Sequence, residues 1–592
     1  MSEGIPFSWN QDPLKVRAAL SGLHTRILAG TEPVRLATVS GVLSTKTALV
    51  RHVDTHMPAF SVVTTKSFQV TPNPGNREPI LCEVYPGSFG NSVGLKNPGL
   101  DVALAELRSL RKTHPMRTLL NVSISASTIE DFITLVGAFE EVADLLELNF
   151  SCPHASAGYG ASIGCSPDIS AQYVREIRKA FPHCKALIFP KLTPNVDDIG
   201  AIAKAVMDAG ADGITAINTV GPEIHIEPIS SKPVLQNKLG GKGGKSGRWV
   251  LDEALGCIAA IRKAVGEEVP LIGMGGVSTG ADVAAMIGAG ADVVGVGSVF
   301  GKVHQKQWTA FTDALVSDAA TVLAGNGDPA TASGFVKTDA SMRYEKRRII
   351  ERRTHGADTV VLTLDGSWNY EAGQYVFLWI PQIGEKPFSI AEAKPLTFVI
   401  KRRGEFTKAL YDLHVGDDLY LRGLYGAPVE PDATGRAILV AGGTGVAVLP
   451  ALARRLHDQK TAMQIFVGTS ETSCAKSGEG LLESTLQQFG PVSIIADDGV
   501  PGRVLGSLES AMGTDVSDLS CYIVGPTVFM RIAAANMLAA GVPAQRIHLS
   551  LELPTLCGIG MCGECLCGDR LTCAWGTFVS YRYMQDNAPE LL

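Results

Sequence analysis

The chain has 592 residues, 45% hydrophobic and 19% charged, enough for several domains with buried cores. A net charge of −7 sets aside a nucleic-acid groove or a basic membrane face, and no apolar run reaches the roughly 18–20 residues that cross a bilayer. The opening MSEGIPFSWNQDPLKVRAAL lacks a basic region followed by an apolar one, so no secretory signal is read and the cytoplasmic compartment is expected. There, clustered cysteines hold metal more often than they form disulfides.

Eight short β-rich runs recur between residues 35 and 298: RLATVSG, FSVVTTK, LLNVSIS, LLELNFS, ALIFPKL, GITAINT, LIGMGG and VVGVGS. Segments of helical periodicity such as ISAQYVREIRKAF and DDIGAIAKAVMDAG lie between them. This α/β pattern predicts a TIM barrel over 1–315; a doubly wound sheet would call for an early GxGxxG, which is missing.

Chemistry in such barrels gathers at the carboxyl ends of the strands. Those ends carry Ser40, Gly41, Lys66, Asn121, Asn149, Lys191, Asn218, Thr219, Gly275, Gly276, Gly297 and Ser298. Lysines and asparagines there are costly unless paired or bound. The glycines ending strands seven and eight fit a phosphate site, and FMN suits it. Cys152, in NFSCPHASAGYG after strand four, faces the mouth, where a nearby cation would raise its thiolate fraction and let it act as a base. Cys165, Cys184 and Cys257 read as inert. STKT (44–47) imitates the lysine motif TTKS, but TTKS ends a strand and is followed by the NSVG loop, so Lys66 is preferred.

TTKS, NSVGLKNPG, LNFSCPH, KLTPN, INT, GGKGGKSG, GMGGVSTG and GVGS together resemble the catalytic subunit of class 1 dihydroorotate dehydrogenases. The resemblance implies that Cys152 removes the C5 proton of dihydroorotate while the C6 hydride goes to N5 of FMN. Lys66 would lie by flavin and substrate. Asn91, Asn149, Asn218 and Thr219 would hold the pyrimidine, and amides around Val93, Gly94 and Leu95 its carboxylate. Asn121, Lys191, Gly247, Gly275, Gly276, Gly297 and Ser298, with Ser40 and Gly41, would bind FMN. His154 stands where the family usually has Asn and is shared with dihydropyrimidine dehydrogenases, so reduction of uracil or thymine is the alternative. NSVGLKNPG favours dihydroorotate, because uracil has no carboxylate for those amides.

Residues 316–342, with AGNGDPATASG, read as a linker. Strand-rich 343–432 predicts an antiparallel β-barrel holding EKPFSIAE and GEFT; 433–545 predicts an α/β nucleotide-binding lobe from RAILVAGGTGVAVLPALARRL, MQIFVGTS, VSIIADDG and CYIVGP. This pair resembles the ferredoxin-reductase family, and in particular the electron-transfer subunit of NAD-dependent dihydroorotate dehydrogenase. The likeness implies FAD on Lys386, Pro387, Phe388 and Ser389, with Gly404 and Thr407 at its pyrophosphate, and NAD at Gly442, Gly443, Thr444 and Gly445. Lys386 stands where that family often has Arg, giving a point charge instead of a fork. No arginine cluster for a 2′-phosphate stands out, and NADP stays open.

Five of the twelve cysteines fall in CGIGMCGECLCGDRLTC, residues 557–573. Cys557, Cys562, Cys565 and Cys573 give C-x4-C-x2-C-x7-C, whose first three members have plant-type [2Fe–2S] spacing; zinc sites more often show paired C-x2-C knuckles. Residues 546–592 are therefore expected to form a [2Fe–2S] domain, with Cys567 as an extra thiol. SLELPTLCGIGMCGECLC resembles the tail of the same electron-transfer subunit, with a shortened final interval. The resemblances together imply a fusion passing electrons from dihydroorotate to FMN, [2Fe–2S], FAD and NAD. Its partners would be small molecules, with no nucleic acid and no membrane span, and a homodimer would form through the barrel. A non-catalytic flavin and iron–sulfur electron-transfer protein, or a phosphosugar isomerase barrel, would be the rivals.

Overall fold

The computed structural model describes residues 12–150, 163–339, 341–431, 435–469, 480–497 and 503–592. The chain forms two compact units, one of residues 1–227, 231–341 and 560–563, the other of 228–230, 342–559 and 564–592.

In the first unit all eight expected runs are strands: β1 (Leu36–Thr38), β2 (Phe60–Thr64), β3 (Leu119–Ile124), β4 (Leu145–Asn149), β5 (Leu187–Leu192), β6 (Ile214–Ala216), β7 (Leu271–Met274) and β8 (Val293–Val296). They pair in parallel as a closed ring in the order β1–β8–β7–β6–β5–β4–β3–β2. Burial on both faces explains their near-continuous apolar sequence. The intervening helices start on local caps: the Ser166 hydroxyl accepts from Ile169 N–H, and Thr279 with Asp282 forms a capping box.

The amino end of the ring carries a threefold ionic device. Asp144, Asp212 and Asp292 stand just before β4, β6 and β8 and accept the amides of Leu120, Ile188 and Leu271 at 2.8, 2.8 and 2.9 Å. Each also pairs with an arginine of an earlier helix: Arg111 with Asp144 at 2.6 Å, Arg178 with Asp212, and Arg262 with Asp292 at 2.8 Å. At the other end, the loops after β2 and β6 build a four-stranded antiparallel sheet from Leu81–Tyr85, Ser88–Asn91, Val220–Ile224 and Lys242–Gly247.

The stretch expected to begin a linker at 316 instead continues a helix, Trp308–Leu323, whose Phe311, Leu315 and Ala319 are buried. Beyond it, Ala332 N–H donates to Asp318 at 2.7 Å and Lys337 N–H to the Lys302 carbonyl at 2.9 Å. The chain-breaking Gly and Pro residues begin only at 325, so helical periodicity governs the residues before them.

The second unit opens with seven antiparallel strands: β9 (Glu345–His355), β10 (Thr359–Leu364), β11 (Tyr375–Ile380), β12 (Gly384–Ser389), β13 (Glu392–Ala393), β14 (Leu396–Lys401) and β15 (Asp418–Tyr425). The expected barrel is an open sheet in the order β12–β11–β15–β9–β10–β14–β13. Among the described residues two-residue β13 pairs only with β14, so the sheet does not close through β12. Next comes a parallel sheet of β16 (Arg436–Gly442), β17 (Ala462–Thr469), β18 (Val492–Ala496), β19 (Leu519–Val524) and β20 (Ile547–Ser550), joined antiparallel by β21 (Phe578–Ser580). Its order is β18–β17–β16–β19–β20–β21.

The residues from 546 onward, expected as a separate domain, share this sheet and its core. Ile547, Leu549, Cys567 and Met584 pack in one cluster with Ile438, Val440, Cys521 and Ile523. So short a segment buries too little surface to sustain its own core. Among the described residues no helix is long and apolar enough to cross a membrane.

Candidate functional site

At the carboxyl end of the ring the polar residues form one connected chain. Asn149 Nδ2 donates to Ser67 Oγ at 3.0 Å; Ser67 meets Ser123 at 2.9 Å and Ser40 at 3.3 Å. Ser123 donates to Glu147 at 2.9 Å, and Lys191 Nζ lies 3.4 Å from the same carboxylate oxygen. Asn218 Nδ2 reaches Asn149 Oδ1 at 3.4 Å and its own Oδ1 accepts from Thr219 N–H at 2.9 Å. Ser40, Asn149, Lys191, Asn218 and Thr219 are thus brought together, and Asn121 joins β2 through Thr64 at 3.1 Å. Lys66 follows β2, two residues past its end.

The chain is not closed on itself. Asn121 Oδ1, Glu147 Oε2 and Thr219 Oγ1 are buried without a partner among the described residues. Buried polar atoms are rarely left so, and these at a barrel mouth fit a polar ligand. The sequence reading missed Ser67, Ser123 and Glu147. Glu147 was findable, since LLELNFS sets a carboxylate inside an apolar strand, where it is fully buried.

The loop expected to receive a carboxylate is pinned from one side. The carbonyls of Val93, Gly94 and Leu95 accept from Asn76 N–H at 3.0 Å, Asn73 Nδ2 at 3.2 Å and Asn97 Nδ2 at 2.8 Å. In a trans peptide the next N–H points the opposite way, so the Gly94 and Leu95 amides face away from these asparagines. Asn91 is held by the Gly244 carbonyl at 3.1 Å and Ser246 at 3.2 Å, across the antiparallel sheet.

A cavity of about 200 Å³ is lined by Gly247, Gly276 and Ser298, together with Arg248, Lys302 and Lys337. Three expected residues therefore meet three cations that sequence alone did not assign. Arg248 pairs with Asp282, and buried Lys302 with Glu83 at 2.8 Å. Gly275 (φ 134°) and Gly276 (φ 76°) have no room for a side chain: a Cβ would stand 2.7 Å from Ala254 Cβ and 2.8 Å from the Leu251 backbone. Gly297 likewise lies against Val39, while Gly41 (φ 85°) faces open space. Cys152 and His154 lie outside the described residues. Burial pushes the thiols of Cys184 and Cys257 up to about 11, in keeping with inert cysteines.

In the second unit Lys386, Pro387, Phe388 and Ser389 are consecutive on β12, opposite Leu378, Phe377, Val376 and Tyr375 of β11. Thr407 Oγ1 accepts from Gly404 N–H at 2.9 Å at the start of helix Glu405–Tyr411. Gly442 ends β16, and Gly443, Thr444 and Gly445 form the following 3₁₀ turn before helix Leu449–Asp458. The strand order reverses between β16 and β19, so this turn sits at the sheet's topological switch point, the usual crevice for a nucleotide.

Cys557, Cys565 and Cys573 are buried, at 1%, 1% and 5% exposure. A hydrogen bond with Cys573 holds the Cys565 thiol below its ordinary value, against burial. Cys562 belongs to residues 560–563, which group with the first unit. Among the described residues no set of three or more His, Cys, Asp or Glu is placed to hold a metal ion. Cys567 is a core residue of the lobe, and burial pushes its thiol up to about 12.

A closed βα ring with a polar, cation-lined mouth at its strand ends has the ground plan of a TIM-barrel enzyme. Residues 27–316 match the family described as dihydroorotate dehydrogenase. The catalytic subunit of dihydroorotate dehydrogenase B (NAD(+)) from Methanocaldococcus jannaschii is 43% identical over 238 residues, 40% of this chain and 74% of that one. The corresponding subunit from Pyrococcus abyssi is 36% identical over 44% of this chain and 82% of its own. Dihydroorotate dehydrogenase A (fumarate) from Lacticaseibacillus paracasei is 41% identical over 40% and 77%. A chain of the NADH-dependent reduced ferredoxin–NADP oxidoreductase structure aligns over 41% of this chain and 92% of that one, at 21% identity and a TM-score of 0.36, too slight to carry an argument. The chain belongs to the dihydroorotate dehydrogenase family and is an oxidoreductase.

Proposed function

We propose that this protein oxidises dihydroorotate to orotate in pyrimidine synthesis and delivers the electrons to NAD. The observation that carries the reading is the connected polar chain from Ser40 through Ser67 and Asn149 to Asn218, with orphaned acceptors at the mouth of a barrel of this family. Asn149, Asn218, Thr219 and Asn91 hold the pyrimidine in this reading, and the Gly94 and Leu95 amides take its carboxylate. Cys152 accepts the C5 proton in this reading, and Lys66 lies by the flavin and the substrate. Asn121, Lys191, Gly247, Gly276 and Ser298 suit FMN, because open acceptors stand at one end and a cation-lined cavity at the other.

Relatives named for NAD(+) and for fumarate match the same barrel, so the choice of acceptor rests on the second unit. Its switch-point turn at Gly442–Gly445 supports NAD, and Lys386–Ser389 with Gly404 and Thr407 supports FAD. The C-x4-C-x2-C-x7-C spacing of Cys557, Cys562, Cys565 and Cys573 supports a [2Fe–2S] cluster from the sequence, while among the described residues their side chains are not grouped to hold a metal ion. When bound, these groups supply the hydride acceptor and a one-electron relay toward NAD. The chain is then a catalytic barrel fused to its electron-transfer partner, acting in the cytoplasm as a homodimer.

Dihydroorotate-dependent NADH formation by the purified chain is the test; turnover of dihydrouracil without dihydroorotate would overturn the reading. Cys152→Ala is expected to retain flavin while bleaching by dihydroorotate collapses. One FMN, one FAD and about two irons per chain are expected.

A further inference from the structure

We propose that Lys337, on the segment that follows the barrel, binds the phosphate of the barrel's flavin and sets the preference for FMN over riboflavin. The inference rests on the reading that the barrel holds FMN. The family match ends at residue 316, so Lys337 belongs to a part of the chain beyond it.

The cavity beside Lys337 calls for an anion. Val336, Lys337 and Thr338 line this space of about 200 Å³ together with Gly276 and Ser298, from the loops after β7 and β8. Those two loops are the usual phosphate grip of a βα barrel. Gly247 (φ 95°) also lines it, and a Cβ there would stand 2.1 Å from the Gly87 carbonyl oxygen, so bare backbone meets the cavity.

The cations around the cavity are not equivalent. Arg248 is paired with Asp282, and Lys302 with Glu83 at 2.8 Å, so each brings a carboxylate that cancels its charge. Lys337 is exposed and has no ion-pair partner among the described residues. A phosphate monoester carries about −1.5 to −2 charges at neutral pH, so it needs a positive charge not already spent. Lysine supplies one as a point charge on a flexible stem.

The segment carrying Lys337 is built into the barrel. Ala332, fully buried, donates its N–H to Asp318 at 2.7 Å, and the Phe335 ring stands edge-on to Phe311 at 6.4 Å. Lys337 N–H donates to the Lys302 carbonyl at 2.9 Å. Further on, the Asp339 carbonyl accepts from Lys302 Nζ, and Ser341 donates to Glu83 through its N–H at 2.5 Å and its hydroxyl at 3.1 Å. The buried Lys302–Glu83 pair thus clamps the chain at and beyond Lys337. With its backbone fixed beside the cavity, only the side chain has to settle on the ligand, which limits the ordering cost of binding.

The test uses the full chain, stripped of FMN and loaded with FAD, titrated with FMN and with riboflavin and followed by flavin fluorescence. Wild type is expected to prefer FMN. Lys337→Met is expected to weaken FMN binding about tenfold and to leave riboflavin binding unchanged, with the difference fading in high salt. Lys337→Arg, which keeps the charge, is expected to keep the preference, and Lys337→Gln is read like Lys337→Met should the latter fail to fold. No preference in wild type, equal loss of both flavins in the variant, or an unchanged FMN affinity would each overturn the proposal. Wild-type chain that takes up neither flavin would instead sink the FMN reading itself.

Discussion

The two ends of the barrel solve the same problem in opposite ways. At the amino end Asp144, Asp212 and Asp292 are each saturated by an arginine and a neighbouring strand's amide. At the carboxyl end Asn121, Glu147 and Thr219 keep a buried oxygen without a partner among the described residues. Saturated polar groups fix a fold; unsaturated ones hold free energy in reserve for whatever binds. The family's chemistry belongs at the second end, where three such oxygens stand together near the strand ends.

The largest blow to this contrast is Arg262→Met. It takes the guanidinium from Asp292, 1% exposed, leaving His24 as its ion-pair partner, and is expected to cost about 3 kcal/mol in denaturation while leaving any flavin spectrum of the folded protein unchanged. Gly276→Ala acts at the other end. A residue held at φ 76° against the Leu251 backbone should cost about 1–3 kcal/mol and displace the cavity wall, read as flavin lost on gel filtration. Asn121→Ala should cost only about 1 kcal/mol in stability, yet weaken flavin binding about tenfold, since it removes a ligand-facing acceptor along with one internal bond.

The mildest test is pH. Burial lowers the His24 pKa, but hydrogen bonds to Asp292 and Glu267, with the charge of Asp292, outweigh it and raise the pKa above its ordinary 6.5. The protonated ring stabilises the amino end, so this contribution is full below 6.5 and lost as pH rises through the higher folded value. Thermal melts should show that loss in wild type and a flatter profile in His24→Gln.

The barrel was legible because strands buried on both faces are unbroken apolar runs, and eight of them repeat. Asn121, Asn149 and Lys191 were legible because polar residues interrupt such runs at one end. Ser67 and Ser123 were not, since small hydroxyls look neutral until neighbouring strands align them. The antiparallel sheet over the mouth was hidden because GGKGGKSG reads as a loop; its pairing with Ser88–Asn91 is set by register and not by propensity. The threefold Arg–Asp device was readable in hindsight, its partners being 33, 34 and 30 residues apart. Cys152 and His154, the residues on which the chemistry turned in the sequence, lie outside the described residues, so their roles stay with the proposal.

Cys565 and Cys567 stand two residues apart, yet one thiol points to the cysteine trio and the other is packed in the lobe's core. A change at the first thiol is therefore transmitted to the second, and through it to the core that Ile438, Val440 and Ile523 form in the lobe.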